Sequence, residues 1–279
     1  MTTSLFSMKQ LIEPNAQPVV MGILNTTPDS FSDGGKFQHL DIALNQVEQM
    51  VSDGASIIDI GGESTRPGAA DVSEQEELDR VIPLIEAVKR HLDVAISIDT
   101  SKAVVMQQAV ASGADIINDV RGLQNEGCLQ VAAQANVPIC LMHMQGLPRT
   151  MQENPQYNDV VGDIIDFFEQ RIAACLAQGI KREQLIIDPG FGFGKTLEQN
   201  YQLLANLKAF KTMGLPILSG TSRKSMIGKL LNNEVEDRLI GSVTTAVIAA
   251  QQGANIIRVH DVKETVEALK IAMYTLANK

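Results

Sequence analysis

Positive charge is in short supply in this sequence. Its 23 lysines and arginines face 33 aspartates and glutamates, a formal net charge of -10 at pH 7 and a pI near 4.9. That balance argues against nucleic acid or an anionic membrane surface as a main partner, so any anionic ligand has to be met by a local basic cluster. Cysteine is scarce too: Cys128, Cys140 and Cys175 are odd in number and form no CxxC pair. This leaves little basis for disulfide or metal chemistry and fits reduced structural thiols in a cytoplasmic protein. The N-terminus has no basic stretch followed by an apolar run, so nothing reads as a secretion signal. No apolar run approaches the ~20 residues that span a bilayer. Neither a linker nor a composition shift divides residues 1–279, which read as one domain.

What is present is a repeat. Gly54–Asp59 (GASIID), Gly113–Asn118 (GADIIN) and Gly253–Arg258 (GANIIR) are near-copies. Each follows a helix-period segment, opens with a glycine suited to the left-handed residue that closes a helix, and runs into a short β-branched stretch ending in a polar residue. Extending the pattern predicts eight short apolar strands: Val19–Asn25, Ser56–Gly62, Val94–Thr100, Asp115–Val120, Pro138–Met144, Leu185–Pro189, Pro216–Thr221 and Ile256–Asp261. Amphipathic segments at Leu40–Ser52, Glu74–Arg90, Lys102–Ser112, Asp159–Gln178, Asn200–Phe210, Arg238–Gln252 and Lys263–Leu276 alternate with them, with a weaker helical stretch at Gly127–Ala135. Strict alternation of parallel strands and helices without a glycine-rich dinucleotide turn predicts an α/β fold, a single (β/α)8 TIM barrel.

Chemistry in such a barrel sits at the C-terminal ends of its strands. The polar residues there are Asn25, Glu63 with Thr65 and Arg66, Asp99, Asn118, His143, Asp188, Arg223 with Lys224, and Arg258 with His260. Arg258 and His260 are two apart in a strand that precedes a helix, so both project to one face beside a helix N-terminus, a ready anion site. The segments after strands 1 and 2, Asn25–Gly35 (NTTPDSFSDGG) and Gly61–Gly68 (GGESTRPG), are long and polar, as mobile loops that close over a site would be. Gly190–Thr196 (GFGFGKT) imitates a phosphate-binding loop, but Pro189 stands where that motif requires glycine. Taken singly, most of these residues have structural readings as well. Asp99-Thr100-Ser101 could cap the next helix, Asn25 could form a turn, and His260 could be a hydrogen-bonded structural histidine.

Together with DPGFGFGK (188–195), SGTSRKSMIG (219–228) and IRVHDV (257–262), the two loops occur in an order that resembles the dihydropteroate synthases over essentially the whole chain. The resemblance implies that 6-hydroxymethyl-7,8-dihydropterin diphosphate is condensed with p-aminobenzoate to 7,8-dihydropteroate and diphosphate, in folate biosynthesis, by a class of enzyme that sulfonamides target. It implies a pterin site at Asp99, Asn118, Asp188, Lys224 and Arg258, and a diphosphate site at Asn25, Thr65, Arg66, Arg258 and His260. Phe31, Pro67, Phe193 and Ser222 are implied for p-aminobenzoate, and Asn25 for Mg2+. The catalytic set is Asp99, Lys224, Arg258 and His260, in a homodimer. Two rivals share parts of this pattern. A corrinoid-dependent methyltetrahydrofolate methyltransferase would use the pterin residues but not the diphosphate cluster. A non-catalytic pterin-binding protein would need neither Asn25 nor the loops.

Overall fold

A computed structural model describes residues 11, 16–26, 36–64 (backbone alone for 36–39), 71–146, 151 and 155–278. Most of the first long loop and half of the second, within residues 27–35 and 65–70, lie outside the described residues. Strand β1 (Val19–Asn25) leads to helix α1 (Lys36–Ser52), then β2 (Ile57–Gly61), α2 (Glu74–His91), β3 (Ala95–Asp99), α3 (Ala103–Ala111), β4 (Ile116–Asp119), α4 (Cys128–Ala135) and β5 (Ile139–Met142). There follow α5 (Val160–Ala177), β6 (Leu185–Asp188), α6 (Leu197–Ala205), β7 (Leu218–Ser219), α7 (Ser225–Leu231), α8 (Leu239–Gln251), β8 (Ile256–Val259) and α9 (Val262–Ala277). The strands pair in parallel in the order β6-β5-β4-β3-β2-β1-β8-β7. A bridge between Ile187 and Ile217, with the Ile187 N–H donating to the Pro216 carbonyl at 3.0 Å, closes the ring. The α/β barrel expected from the sequence is the fold observed.

The repeat has a mechanical meaning. Gly54, Gly113 and Gly253 have φ of 104°, 115° and 102°, and the alanine after each donates its N–H to the carbonyl five residues back. This is the Schellman closure of a helix, which needs a residue free to take positive φ. Gly179 (φ 91°) closes α5 in the same way through Ile180, a fourth copy that the sequence does not reveal. There the chain continues GIKREQL and inserts a 3-10 turn, Arg182–Gln184, before β6.

Side-chain alternation along the strands separates two cores. Met21, Ile57, Ala95, Ile116, Cys140, Ile186, Leu218 and Ile256 fill the lower barrel, joined by Leu11, whose carbonyl accepts from Asn255 Nδ2 at 2.6 Å at the N-terminal end. The outward residues between them, Ile58, Ile96, Ile117, Leu141, Ile187 and Ile257 among others, lie in the core packed under the helices. Two residues further along each strand, the inward face reads Ile23, Asp59, Ser97, Asn118, Met142, Asp188, Gly220 and Arg258. The barrel interior therefore changes from apolar to polar within one layer, and the polar layer opens towards the C-terminal ends of the strands.

Local differences from expectation have local causes. β7 is shorter than predicted because Pro216 has no N–H to offer, while the Asn255 side chain takes the Ile217 N–H at 2.9 Å. Thr196 and Gln199 form a capping box that starts α6 earlier than predicted, and the chain from Leu207 to Met213 winds as a 3-10 turn. Ser225–Leu231, which overlaps the SGTSRKSMIG motif and was not among the expected helices, is helical.

Candidate active site

The polar layer is organised around Arg258. Its Nε donates to Asp59 Oδ2 at 2.6 Å and its Nη2 to Asp99 Oδ2 at 2.7 Å, while Asn118 Nδ2 reaches the two Asp59 oxygens at 3.4 and 3.2 Å. Asp59, Asn118 and Arg258 are the final residues of the three repeat copies, so one repeated position supplies an acid, an amide and a cation to one cluster. Asp59 was not among the expected site residues although the repeat contains it. Fully buried, it fixes the plane of the guanidinium. Asp99 does not cap α3, whose N-cap is Lys102, so its alternative reading falls away. Burial pushes the Asp99 carboxyl up to about 7, with Arg258 opposing and Asp59 adding to the rise. Beside Asn118, Asp119 faces the other way. It accepts from Ser101 and from the N–H groups of Arg121 and Leu123, and so shapes the loop after β4.

Asp188 and Lys224 form the second half. Asp188 is buried at the end of β6 and accepts the Gly190 N–H at 2.8 Å. Burial raises its pKa, and the charge of Lys224 opposes that most strongly. Lys224 donates to the Phe191 carbonyl, and its ammonium lies 4.6 Å from the centre of the Phe193 ring. Burial pushes the lysine down to about 8, with Asp188 opposing. Gly220 lies between the two cations: a Cβ there would make ordinary contacts, 3.8 Å from Arg258 Cβ and 4.0 Å from Lys224 Nζ.

His260 lies one residue beyond β8 and pairs with Ser222, its Nδ1 3.0 Å from the serine Oγ and its N–H donating to that oxygen at 3.1 Å. Ser222 is thus tied to the histidine. Next to them, Arg223 makes a two-pronged bond with Asp261, at 3.0 and 2.6 Å. This pair fastens the β7 loop to the end of β8, so Lys224, Arg258 and His260 are set by one framework. Asn25 ends β1 on the inward face, half-buried, and its amide makes no hydrogen bond among the described residues. Phe31, Thr65, Arg66 and Pro67 lie outside the described residues. At the stem of their loop, Glu63 accepts the Val72 N–H at 3.0 Å and the Lys102 ammonium at 2.9 Å. His143, expected among the polar strand ends but given no ligand role, pairs behind Asp188 at 3.1 Å with Lys195, which was not expected in the site; both are buried.

The result is a polar floor of three carboxylates, one amide and two cations at the mouth of an apolar barrel. Carboxylates offer paired acceptors to a flat ligand rich in N–H groups, and the cations with a free amide offer a place for anionic oxygens.

The sequence profile of the family described as "Pterin binding enzyme" matches residues 21–260. The chain is 58% identical over 254 residues to the dihydropteroate synthase of Haemophilus influenzae, covering 91% of this chain and 92% of that one. It superposes on the Yersinia pestis dihydropteroate synthase, solved with a sulfonamide drug complex, with a TM-score of 0.90 and 57% identity over 95% and 96% of the two chains. The Xanthomonas albilineans dihydropteroate synthase, solved with 4-aminobenzoic acid, gives a TM-score of 0.89 at 46% identity, with 94% of each chain covered.

Proposed function

The chain belongs to the pterin-binding enzyme family, among the dihydropteroate synthases, and from that premise we propose how its barrel mouth divides the work. The reaction is transfer of a pterin methylene from diphosphate to the amine of p-aminobenzoate. Asp188 accepts the adjacent N–H donors of the pterin edge, and Asn118, whose Nδ2 is held by Asp59, turns its carbonyl and remaining N–H to the same ring. Asp99 faces the ring from β3, where a carboxylate offsets positive charge that develops on the pterin as the leaving group departs. Arg258 uses one edge of its guanidinium on Asp59 and Asp99, which leaves a fixed flat face for the ring and its Nη1 hydrogens for phosphate oxygens. The observation that carries this reading is the Arg258–Asp59–Asn118–Asp99 cluster, a hydrogen-bonded polar plate against which a pterin can lie.

The arylamine is neutral at pH 7 and brings its own lone pair, so no strong base is required. The site has to stabilise diphosphate as it leaves, a task for preorganised charge. We assign it to Lys224, Arg258 and His260, with Thr65 and Arg66 from the second loop. Below about pH 8 Lys224 carries its proton, and the Ser222 hydroxyl fixes the orientation of the His260 ring. The half-buried Asn25 amide, without a hydrogen bond among the described residues, would suit as one protein ligand of Mg2+. Such an ion, when bound, neutralises charge on the departing diphosphate. We assign Phe193, with Phe31 and Pro67, to the p-aminobenzoate ring, and Ser222 to its carboxylate.

The test is diphosphate release from 6-hydroxymethyl-7,8-dihydropterin diphosphate with Mg2+. Release is expected to require p-aminobenzoate and to yield 7,8-dihydropteroate, and alanine at Lys224 or His260 is expected to lower kcat/KM by about 10²-fold or more. Unchanged turnover in both variants would overturn the assignment.

We also propose a homodimer, because α8 and α9 lie side by side and expose Ile240, Ile271 and Tyr274 by 79%, 71% and 75%. Light scattering should give twice the 30.2 kDa of the chain, and Ile240→Asp with Ile271→Asp should return it to one. A monomeric wild-type protein would rule the dimer out. No described helix is long and apolar enough to cross a membrane. The buried free cysteines suit the reducing cytoplasm in which we place the enzyme.

A further inference from the structure

The segment that imitates a phosphate loop turns its lysine the opposite way. Lys195 is only 3% exposed, and its ammonium donates to the carbonyls of Gly190 (2.8 Å) and Phe193 (3.0 Å) and lies 3.1 Å from His143 Nδ1. An ammonium has three donors and no acceptor, so this arrangement uses it fully. His143 can supply the third acceptor because burial and the neighbouring Lys195 hold its ring neutral, with a pKa pushed down to about 2. The backbone wraps the ammonium by taking φ of 72°, 80° and 62° at Gly190, Gly192 and Gly194. A Cβ at Gly190 would overlap the His143 carbonyl oxygen and one at Gly194 the Gln145 carbonyl oxygen, so only glycine permits the wrap.

This loop also touches two groups that meet the ligand. The Gly190 N–H holds Asp188 Oδ1 at 2.8 Å, the Phe191 carbonyl accepts from Lys224, and the Phe193 ring lies under the Lys224 ammonium. We propose that Lys195 is a positioning residue for pterin recognition: its ammonium, held inside the loop 190–194, sets Asp188 and Lys224. Its charge acts on Asp188 as well, as the smallest of the four influences that lower its pKa. The inference rests on Asp188 and Lys224 being pterin contacts.

The charge effect has a definite sign. Burial raises the Asp188 pKa, and Lys224, the Gly190 N–H, Arg258 and Lys195 pull it down. Burial pushes Lys195 itself down to about 7, with Asp188 opposing, so its full charge acts below that pH. The other titratable groups facing this corner are His143, which is neutral, the Cys140 thiol of β5, pushed well up by burial, and the Tyr157 hydroxyl, raised likewise. A ligand that needs the carboxylate binds less well as pH falls through its pKa. Without Lys195 that pKa rises, so the loss begins at a higher pH. The Gly194 carbonyl remains tied to the Tyr157 hydroxyl (2.8 Å) and the Gly192 N–H to Asn200 Oδ1 (2.7 Å), ties that outlast the substitution.

The experiment is calorimetric titration of the full-length protein with 6-hydroxymethyl-7,8-dihydropterin diphosphate from about pH 5 to 9, comparing wild type, Lys195→Met and Lys195→Gln. Lys195→Met should bind about 10- to 100-fold more weakly at about pH 6.5, where the wild-type lysine carries its proton. Lys195→Gln, which keeps two donors but no charge, should recover part of that affinity. Both variants should lose affinity at a higher pH than wild type as the solution is acidified. Should Lys195→Met fail to fold, Lys195→Gln decides alone through its acid limb. Wild-type affinity, or weaker binding with an unmoved acid limb, would make Lys195 an ordinary structural lysine and overturn the proposal. A wild-type protein that does not bind the probe would instead remove the pterin reading on which the proposal stands.

Discussion

Arg258→Ala should lower kcat/KM by ~10³-fold or more and stability by about 3–5 kcal/mol, the largest combined effect expected at any residue of the site. The second effect follows from its partners. Asp59 is fully buried, and without the guanidinium it keeps only the Asn118 amide, while Asp99 loses its one ion-pair partner among the described residues. Removing one member of a buried pair strands the other as an uncompensated charge. A carboxyl whose folded pKa stands above its unfolded value supports the fold at low pH and loses that support as pH rises through the folded value. Asp99 is already raised to about 7, and loss of Arg258 raises it further. The defect should therefore be largest near pH 8 and shrink towards pH 5, which urea unfolding at the two pH values would show. Arg258→Lys separates the roles: it restores much of the stability through its charge, but not turnover, because an ammonium is neither flat nor forked. Wild-type kcat/KM in Arg258→Lys would show that the planar fork is not needed.

How far the sequence reveals this protein depends on the range of the interaction involved. The helix-to-strand junctions are local, so glycine followed by a β-branched run is enough to show three of them, and eight strand positions follow. The copy at Gly179 escapes because an inserted 3-10 turn separates its glycine from β6. The catalytic face is legible where a polar residue stands at or next to the end of a strand, as at Asn118, Asp188 and Arg258. Asp59 escapes although it ends the first copy of the repeat. It lies two residues before the end of β2, and its importance comes from a partner 199 residues away. Lys195 is misleading in sequence for a similar reason. Whether a lysine points out to a phosphate or in to carbonyls depends on the backbone turn, and here that turn depends on His143, contributed by a different strand end.

Asp188→Asn should leave the fold intact and weaken binding of the pterin diphosphate by ~10²-fold, about 3 kcal/mol. The two side chains have nearly the same shape, and the neutral amide is no more costly to bury than a carboxylate whose pKa burial has raised. Donors and acceptors are what change. One Asp188 oxygen already takes the Gly190 N–H at 2.8 Å. If the asparagine carbonyl keeps that bond, its NH2 group faces the N–H donors of the pterin edge. If the amide turns over, the NH2 group faces the Gly190 N–H instead. Either orientation sets a donor against a donor in a buried place, which no rotamer relieves. Lys224 supplies a second, independent sign. The Asp188 charge is the strongest influence holding up the pKa of that lysine, which burial has pushed down to about 8. Without the carboxylate the Lys224 pKa falls further, and a lysine loses its cation as pH rises through its pKa. The alkaline decline of kcat/KM should thus begin at a lower pH in Asp188→Asn than in wild type, while the acid decline due to Asp188 protonation disappears. A pH–rate profile with both limbs in their wild-type places would mean that Asp188 neither meets the pterin nor tunes Lys224.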